Sequence, residues 1–489
     1  MLRTIQNRKY LVLIIILTFS AFTHLWNAVE FPDIFFDEGV YMRRAMHILS
    51  GQGPQEGWFY DHPFFGQIFL SSILGLTGYP TSLHPSTNPL SISTLYLEPR
   101  IIMGMLAIVD TFLIYKIAEN RYGPKIALIS SMLFAVMPYT WIVRRILLDS
   151  ILLPFLLMSI YLALYSKNSK HQEIIVLLSG TCLGLAIFTK VLIFVFIPLI
   201  VGLIYFYNNK KTKLAILWFI PVLIIPSLWP IYSVDVGQFE FWVKGIIYQT
   251  HRFSAGLPFI SHLFLEMDPV LFILGIAGTG YSILRRDWFI LWWFVPFVIF
   301  LFAIGYDQYF YWIPILPVFC ISAGKLIVNL LEKIRHSTLK RVFSLAVIFG
   351  IGTFGFVSTL MIITTDMSDS QFEAASYVLQ NIKSDDHNTT ILASPTYSWI
   401  FNYVFHRSNV LIDYSDILFS PLGTSKVVLV ADTHFMLDIN RGPQLQQIYN
   451  KTITVATFEG DANKYDSRFY PYDNLWVTPE GSHIEIKEK

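Results

Sequence analysis

The chain has 489 residues, 54% hydrophobic and only 14% charged, with a mean hydropathy of +0.53. A soluble domain carries about a quarter charged residues; here the apolar surplus stands in uninterrupted blocks of about 17 to 25 residues, the length that crosses hydrocarbon. A soluble fold is excluded, the net charge of +1 comes from basic residues scattered along connecting loops and marks no nucleic-acid surface, and Cys182 and Cys320 both fall inside apolar runs, which indicates no disulfide framework.

Arg3, Arg8 and Lys9 precede the first apolar run. That run lacks a small-residue cleavage site and further spans follow, so it reads as a retained first helix and not as a signal peptide. Eleven spans are predicted, at 10–28, 99–118, 124–141, 150–166, 173–188, 191–207, 214–230, 268–284, 288–304, 311–331 and 342–363. Basic residues orient them. With a cytoplasmic N-terminus, the inner loops "KIAENRYGPK", "SKNSKHQE", "NNKKTK", "RRD" and "LEKIRHSTLKR" each hold at least two Lys or Arg, whereas the outer loop at 231–265 holds only Lys244 and Arg252. An odd number of spans leaves the C-terminal end outside. The fold class expected is a polytopic α-helical membrane protein with a small extracytoplasmic C-terminal α/β domain.

The first outer loop, 29–98, carries "FFDEGVYMRRAMHILSGQGPQEGWFYDHPFFGQIF" from Phe35 to Phe69. Asp37 reads either as the N-cap of an interfacial helix "EGVYMRRAMHIL" with Glu38 in its first turn, or as a general base held at the membrane surface. In the capping reading Tyr41, Ala45, Ile48 and Leu49 form a membrane-facing stripe, with Arg43 and Arg44 toward the headgroups. Asp61 and His62 of "YDHPFFGQ" precede a proline turn where the chain re-enters the interface.

"PYTWIVRRILLDS" closes span three and opens span four. Arg144 and Arg145 are either snorkelling anchors or a guanidinium fork for a phosphate, and Asp149 either caps span four or pairs with one of them. Lys190 sits in "AIFTKVLIF" with almost nothing else polar nearby, and a charge there needs a partner. Asp110, inside span two, is expected to pair with Lys116 or a neighbouring span. In "GYDQYFYWIPILPVF", which includes Asp307, the aromatics Tyr309, Tyr311 and Trp312 fit an interfacial belt, and the prolines loosen the helix start.

Beyond Asp366 polar residues return. "SQFEAASYVLQNIK" has helical spacing, and "TTILAS", "SNVLIDY", "SKVVLVAD" and "KTITVATF" read as strands. Residues 366–489 thus read as one small α/β domain, with Tyr397, Trp399 and Tyr403 as its core and lid. Sequons begin at Asn388 and Asn450.

The order "FFDEGVY", "YDHPFF", "WIVRRILLD", the lone lysine of "FTK" and "YFYWIPILP" resembles the polyprenyl-phosphate-dependent glycosyltransferases of the GT-C superfamily. Its nearest branches are the protein O-mannosyltransferases and the aminoarabinose transferases. The resemblance covers about residues 1–365 and implies a catalytic carboxylate at Asp37 or Glu38. It implies a substrate role for Asp61, His62, Asp149 and Lys190. The activity implied is inverting transfer of a sugar, mannose or another hexose or pentose, from a polyprenyl- or dolichyl-phosphate carrier to a protein, lipid or glycan hydroxyl outside the membrane. Arg144 or Arg145, Lys190, His62 and Arg252 then face the lipid phosphate, with Tyr309 at the same interface. Carboxylates beside a phosphate suit Mg or Mn, but no metal is predicted. A transporter or flippase of a lipid-linked or anionic solute is the alternative; it needs polar residues through both halves of the membrane, and only Asp110 offers that. A sensor or scaffold would not need acids and cations converging at one depth.

Overall fold

A computed structural model describes residues 2–167, 169–252, 256–304, 308–383, 388–418, 426–432, 442–460 and 483–489. The helices run in the order α1 (Leu2–Leu25), α2 (Phe36–Leu49), α3 (Phe65–Thr77), α4 (Pro89–Tyr122), α5 (Pro124–Val136), α6 (Leu148–Ser166), α7 (Gln172–Ile187), α8 (Ile197–Tyr207) and α9 (Thr212–Asp235). There follow α10 (Phe239–His251), α11 (Gly256–Met267), α12 (Pro269–Leu284), α13 (Trp288–Ile304), α14 (Leu316–Glu332), α15 (Ser337–Ile363), α16 (Asp369–Asn381), α17 (Pro395–Trp399) and α18 (Pro443–Lys451).

Among the described residues five helices are long and apolar enough to cross a membrane, or six when α5 and the 3-10 helix Pro138–Arg144, bent from it by 69°, count as one span. The other expected spans fall on shorter apolar helices of 10–17 residues. Helix is the form available to such segments because hydrocarbon supplies no partner for a free backbone N–H or C=O. Among the 3-10 turns of the described residues are Pro138–Arg144, Val191–Phe196 and Tyr309–Ile315, where prolines or short turns interrupt the α pattern. The first and third of these turns carry Arg144 and Tyr309, and Lys190 stands just ahead of the second.

Packing between spans relies on small residues, as it must where apolar side chains gain nothing by leaving lipid. A Cβ on Gly180 of α7 would stand 2.4 Å from the Trp218 carbonyl of α9, and one on Gly184 would stand 2.7 Å from the Pro221 carbonyl. Ser159 and Ser179 exchange hydroxyl-to-carbonyl bonds of 2.7 and 2.8 Å between α6 and α7.

The C-terminal elements form one sheet in the order β2-β1-β3-β5-β4, from β1 (Thr389–Leu392), β2 (Val410–Leu411), β3 (Lys426–Asp432), β4 (Ile453–Glu459) and β5 (His483–Glu488). The first three are parallel, and β5 runs antiparallel to both β3 and β4. Three of these strands lie within the segments read as strands from sequence and β4 overruns its segment by Glu459 alone; β5, "HIEIKE", was not singled out because its charges mask its alternation. Tyr397 and Trp399 are buried, core as expected. Both sequon asparagines, Asn388 and Asn450, are exposed.

This C-terminal part is bonded directly to the first loop. Gln371 of α16 donates to the Ile34 carbonyl at 3.1 Å and accepts from its N–H at 2.8 Å. Trp399 donates to the Tyr96 hydroxyl at 2.8 Å, and that hydroxyl donates to the Thr396 carbonyl at 3.0 Å.

Candidate active site

The stretch after α1 divides its charges between two environments. Helix α2 begins at Phe36, and its N-terminal Phe35 N–H is capped by the Glu38 carboxylate at 3.0 Å. Glu38, not Asp37, is therefore the capping acid. Its oxygens also accept from Arg100 Nε and Nη2 at 3.1 and 3.0 Å, from Arg145 Nη1 at 2.9 Å and from the Ile146 N–H at 3.1 Å. Arg100 donates further to the carbonyls of Ala28, Val29, Pro32 and Asp33, and Arg145 pairs with the Asp33 carboxylate. Two acids and two guanidinium groups are buried together with matched charge, the condition under which buried ions are tolerated. Glu38 and Arg145, both expected at the substrate, are here bonded to each other and to Arg100 and Asp33 where the chain leaves α1. Arg100 and Asp33 belong to this knot and were not singled out from sequence, since nothing in a single chain marks which span an interior arginine will meet.

Asp37 points elsewhere. It is partly exposed and accepts no hydrogen bond from any described residue, and the charges that act on it are Lys190, Arg252, Asp61 and Asp149. Burial pushes its carboxyl up to about 6, with Lys190 and Arg252 pulling the other way. An acid poised there is ionised at neutral pH yet basic enough to take a proton.

Lys190 has the partner it was expected to need. Its Nζ lies 2.8 Å from Asp149 Oδ2 and 4.1 Å from the Tyr311 ring centroid, with Phe310 at 5.1 Å. Asp149 is buried at the start of α6, so its carboxylate holds the ammonium in place within a ring of aromatic faces.

The Asp61–His62 pair lies on the same side. Burial opposes the ionised form of Asp61, but Arg44 outweighs it and holds the carboxyl below its ordinary range; the contact is Arg44 Nη2 to Asp61 Oδ1 at 2.9 Å. Burial pushes His62 down to about 3, so it is a neutral imidazole at physiological pH. Arg252, at the end of α10, is half-buried, donates to Gln249 Oε1 at 3.2 Å and acts electrostatically on both Asp37 and His62.

Other expected positions fall outside this group. Arg144 is buried against the Phe31 ring at 5.4 Å and donates to the Trp26 carbonyl, packing against the exit of α1. Tyr309 is buried between Phe35 and Trp141, and its carbonyl accepts from the Tyr139 hydroxyl at 2.8 Å. Asp110 is not paired with Lys116, which bonds Glu119 at 3.4 Å; both Asp110 oxygens are buried without a partner among the described residues. Asp307 lies outside the described residues.

Tyr41 and Arg44 are residues the sequence reading sent to the lipid surface. Both are buried, and Arg43 pairs with Glu56 at 2.8 Å in place of a headgroup. Burial and the carboxylates of Asp37, Asp61 and Asp149 push the Tyr41 phenol well above its ordinary range, so it stays a donor. The signal was present: Asp37, Tyr41 and Arg44 are spaced i, i+4, i+7 and share one face of a helix. Among the described residues no group of three His, Cys, Asp or Glu could hold a metal ion.

Gly39, two residues after Asp37, touches the C-terminal part. A Cβ there would stand 2.4 Å from the Pro395 carbonyl carbon and the Thr396 nitrogen, both backbone atoms. Gly39→Ala is expected to shift α2 and lower turnover about 10²-fold, the scale of a misplacement of about 1 Å. Steady-state turnover beside a thermal melt checks this; unchanged turnover would mean that α17 does not set the position of Asp37.

Residues 14–232 match the model of the family described as dolichyl-phosphate-mannose-protein mannosyltransferase. No curated relative matches the sequence. Among solved structures, ArnT from Cupriavidus metallidurans bound to undecaprenyl phosphate superposes with a TM-score of 0.60 at 11% identity, covering 96% of this chain and 97% of that one. The archaeal oligosaccharyltransferase AglB from Archaeoglobus fulgidus, in complex with an inhibitory peptide and a dolichol-phosphate, gives 0.56 at 12% identity over 88% and 70%. This chain has the fold of the GT-C membrane glycosyltransferases and, over residues 14–232, resembles the dolichyl-phosphate-mannose-protein mannosyltransferases in sequence.

Proposed function

We propose that the protein is an inverting glycosyltransferase that moves a sugar from a polyprenyl-phosphate carrier to an acceptor hydroxyl on the extracytoplasmic side. The observation that carries this reading is the set of charges around Asp37, with Lys190 and Arg252 drawing on one carboxylate that accepts no hydrogen bond among the described residues and Asp61 and Asp149 opposing them. Family resemblance and fold support a lipid-phosphate donor, and nothing in the comparisons favours transport.

A polyprenyl-phosphate sugar keeps its chain in the bilayer and its C1 at headgroup level, which is why the base belongs at the exit of a span. Asp37 takes the acceptor hydroxyl proton as that oxygen forms its bond to C1 from the face opposite the phosphate. The C1–O bond to phosphate breaks, and the electron pair leaves on the phosphate. Lys190, steadied by Asp149, and Arg252 meet the charge that develops there. Neutral His62 can offer one N–H. Glu38, Arg145 and Arg100 hold α2 in place without touching substrate.

In topology the reading takes α1, α4, α5 with its bent 3-10 continuation, α6, α7, Val191–Tyr207, α9, α12, α13, Tyr309–Glu332 and α15 as eleven crossings, with a cytoplasmic N-terminus. Residues 29–98 and a C-terminal domain at 366–489 then stand outside, with 1–365 as the membrane unit.

The test is release of free polyprenyl phosphate, followed by mass spectrometry, when purified protein meets polyprenyl-phosphate sugars and candidate acceptors. Absence of release from every donor would overturn the reading. Lys190→Gln combined with Asp149→Asn removes the ion pair without leaving a lone buried charge. That variant is expected to bind polyprenyl phosphate about 10- to 100-fold more weakly, the worth of a charged hydrogen bond. Unchanged affinity in a titration would take Lys190 off the phosphate.

A further inference from the structure

Two connections at one end of the helical bundle carry charge that the reaction above does not use. One joins α6 to α7 and the other joins α8 to α9, at the opposite end of α7 from Lys190. The buried Asn208 amide ties them together, donating to Ser166 Oγ at 2.8 Å and to the Ile204 carbonyl at 2.9 Å. Across the same seam Lys211 Nζ donates to Gln172 Oε1 at 2.8 Å, and Lys213 Nζ pairs with Glu173 at 2.8 Å. Lys167 Nζ rests over the Tyr207 ring, 5.6 Å from its centroid.

Lys167, Lys170, Lys210, Lys211 and Lys213 are thereby gathered on one exposed surface, and Glu173 is the one acid in the segments 166–173 and 205–213. Elsewhere in the connecting loops cations meet carboxylates of the chain: Lys125 pairs with Glu332, and Arg121 and Lys325 share Asp287. Here the excess of lysine calls for an anion from outside the protein.

Aromatic side chains fix the depth of this surface. Tyr165 and Phe206, in the last turns of α6 and α8, are exposed, and Phe206 lies against Tyr205 with ring centroids 5.3 Å apart. Tyrosine concentrates where hydrocarbon meets headgroups, so the lysines a few residues further on stand at the level of lipid phosphates. Ile174 and Ile216, near the starts of α7 and α9, are exposed as well and offer an apolar flank for acyl chains. A cluster of roughly four to eight basic residues beside a membrane span attracts anionic lipid. A soluble anion would use the lysines alone and leave the apolar flank bare.

We propose that the joined α6–α7 and α8–α9 connections bind the phosphate headgroup of an anionic bilayer lipid, with its chains along the exposed faces of α7 and α9. The inference stands apart from the transferase reading. It needs only that α6 and α9 cross the membrane, which their length and apolar composition allow.

The experiment uses the full chain in a neutral detergent, titrated with phosphatidylglycerol or with phosphatidylcholine of the same acyl chains. Native mass spectrometry counts the bound lipid, and a thermal melt reads its effect. Phosphatidylglycerol is expected to be retained and to raise the melting temperature, whereas phosphatidylcholine does neither. The combined variant Lys167→Gln, Lys170→Gln and Lys210→Gln is expected to bind phosphatidylglycerol about 10- to 100-fold more weakly, while melting like wild type without added lipid. A control that removes as many exposed charges from another loop, Lys333→Gln with Arg335→Gln and Arg341→Gln, is expected to bind like wild type.

Equal retention of the two lipids, an unaltered affinity in the lysine variant, or the same loss in the control would overturn the surface. Protection by inorganic phosphate as strong as that by phosphatidylglycerol would make it a surface for soluble anions and overturn it for lipid. Should the combined variant melt early, Lys170→Gln alone decides through the same titration, since it removes no hydrogen bond or ion pair among the described residues. A loss of about 5-fold is then expected, and none would overturn the proposal.

Discussion

Asp37→Asn is expected to lower donor turnover about 10²- to 10⁴-fold, the contribution of a positioned general base, in a protein that melts like wild type. The amide keeps the shape but cannot take the acceptor proton, and no hydrogen bond from a described residue to the Asp37 side chain is lost. The same residue sets the pH profile. Its carboxyl titrates at about 6 and acts only when ionised, so kcat/KM falls as pH drops through about 6 and levels off above it. Lys190 and Arg252 favour the ionised form, so Arg252→Gln moves that limb to higher pH as well as lowering the rate. Mass-spectrometric turnover from pH 5 to 8 reads both effects. An acid limb that stays put in Arg252→Gln, or a fully active Asp37→Asn, would assign the proton transfer to another group.

Glu38→Ala, one residue along, is expected to behave in the opposite way. It strips the shared carboxylate from Arg100 and Arg145, both buried, and breaking a buried pair by removing one partner costs about 3–5 kcal/mol. The loss of folded protein should precede any measurement of catalysis, seen as a lower melting temperature and poor monodispersity in detergent. A Glu38→Ala protein that melts like wild type and is inactive would return Glu38 to the chemistry. Together the two variants separate a residue that reacts from one that holds its neighbour in position.

Much of this was legible in the residues. Apolar runs of membrane length marked a membrane protein, and the motif order around "FFDEGVY", "YDHPFF" and "FTK" carried its resemblance to the lipid-phosphate-dependent glycosyltransferases. The need of Lys190 for a partner, and Asp149 as a charged group on the same side, followed from the cost of an unpaired charge in an apolar setting. Strands β1 to β4 were visible as β-branched runs.

What only the tertiary structure decided is which charge faces which space. Asp37 and Glu38 are neighbours in sequence, but successive side chains on a helix diverge by about 100°. That rotation sends Glu38 into Arg100 and Arg145 and leaves Asp37 facing Lys190 and Arg252. Arg144, the last residue of a 3-10 turn, and Arg145, in extended backbone just after it, also part company, one against Phe31 and the other onto Asp33. Tyr41 and Arg44 looked like a lipid-facing face, but both are buried, with Arg44 paired to Asp61 of the loop before α3. A sequence determines which residues are available on each face; the helices that pack against them decide which face meets substrate.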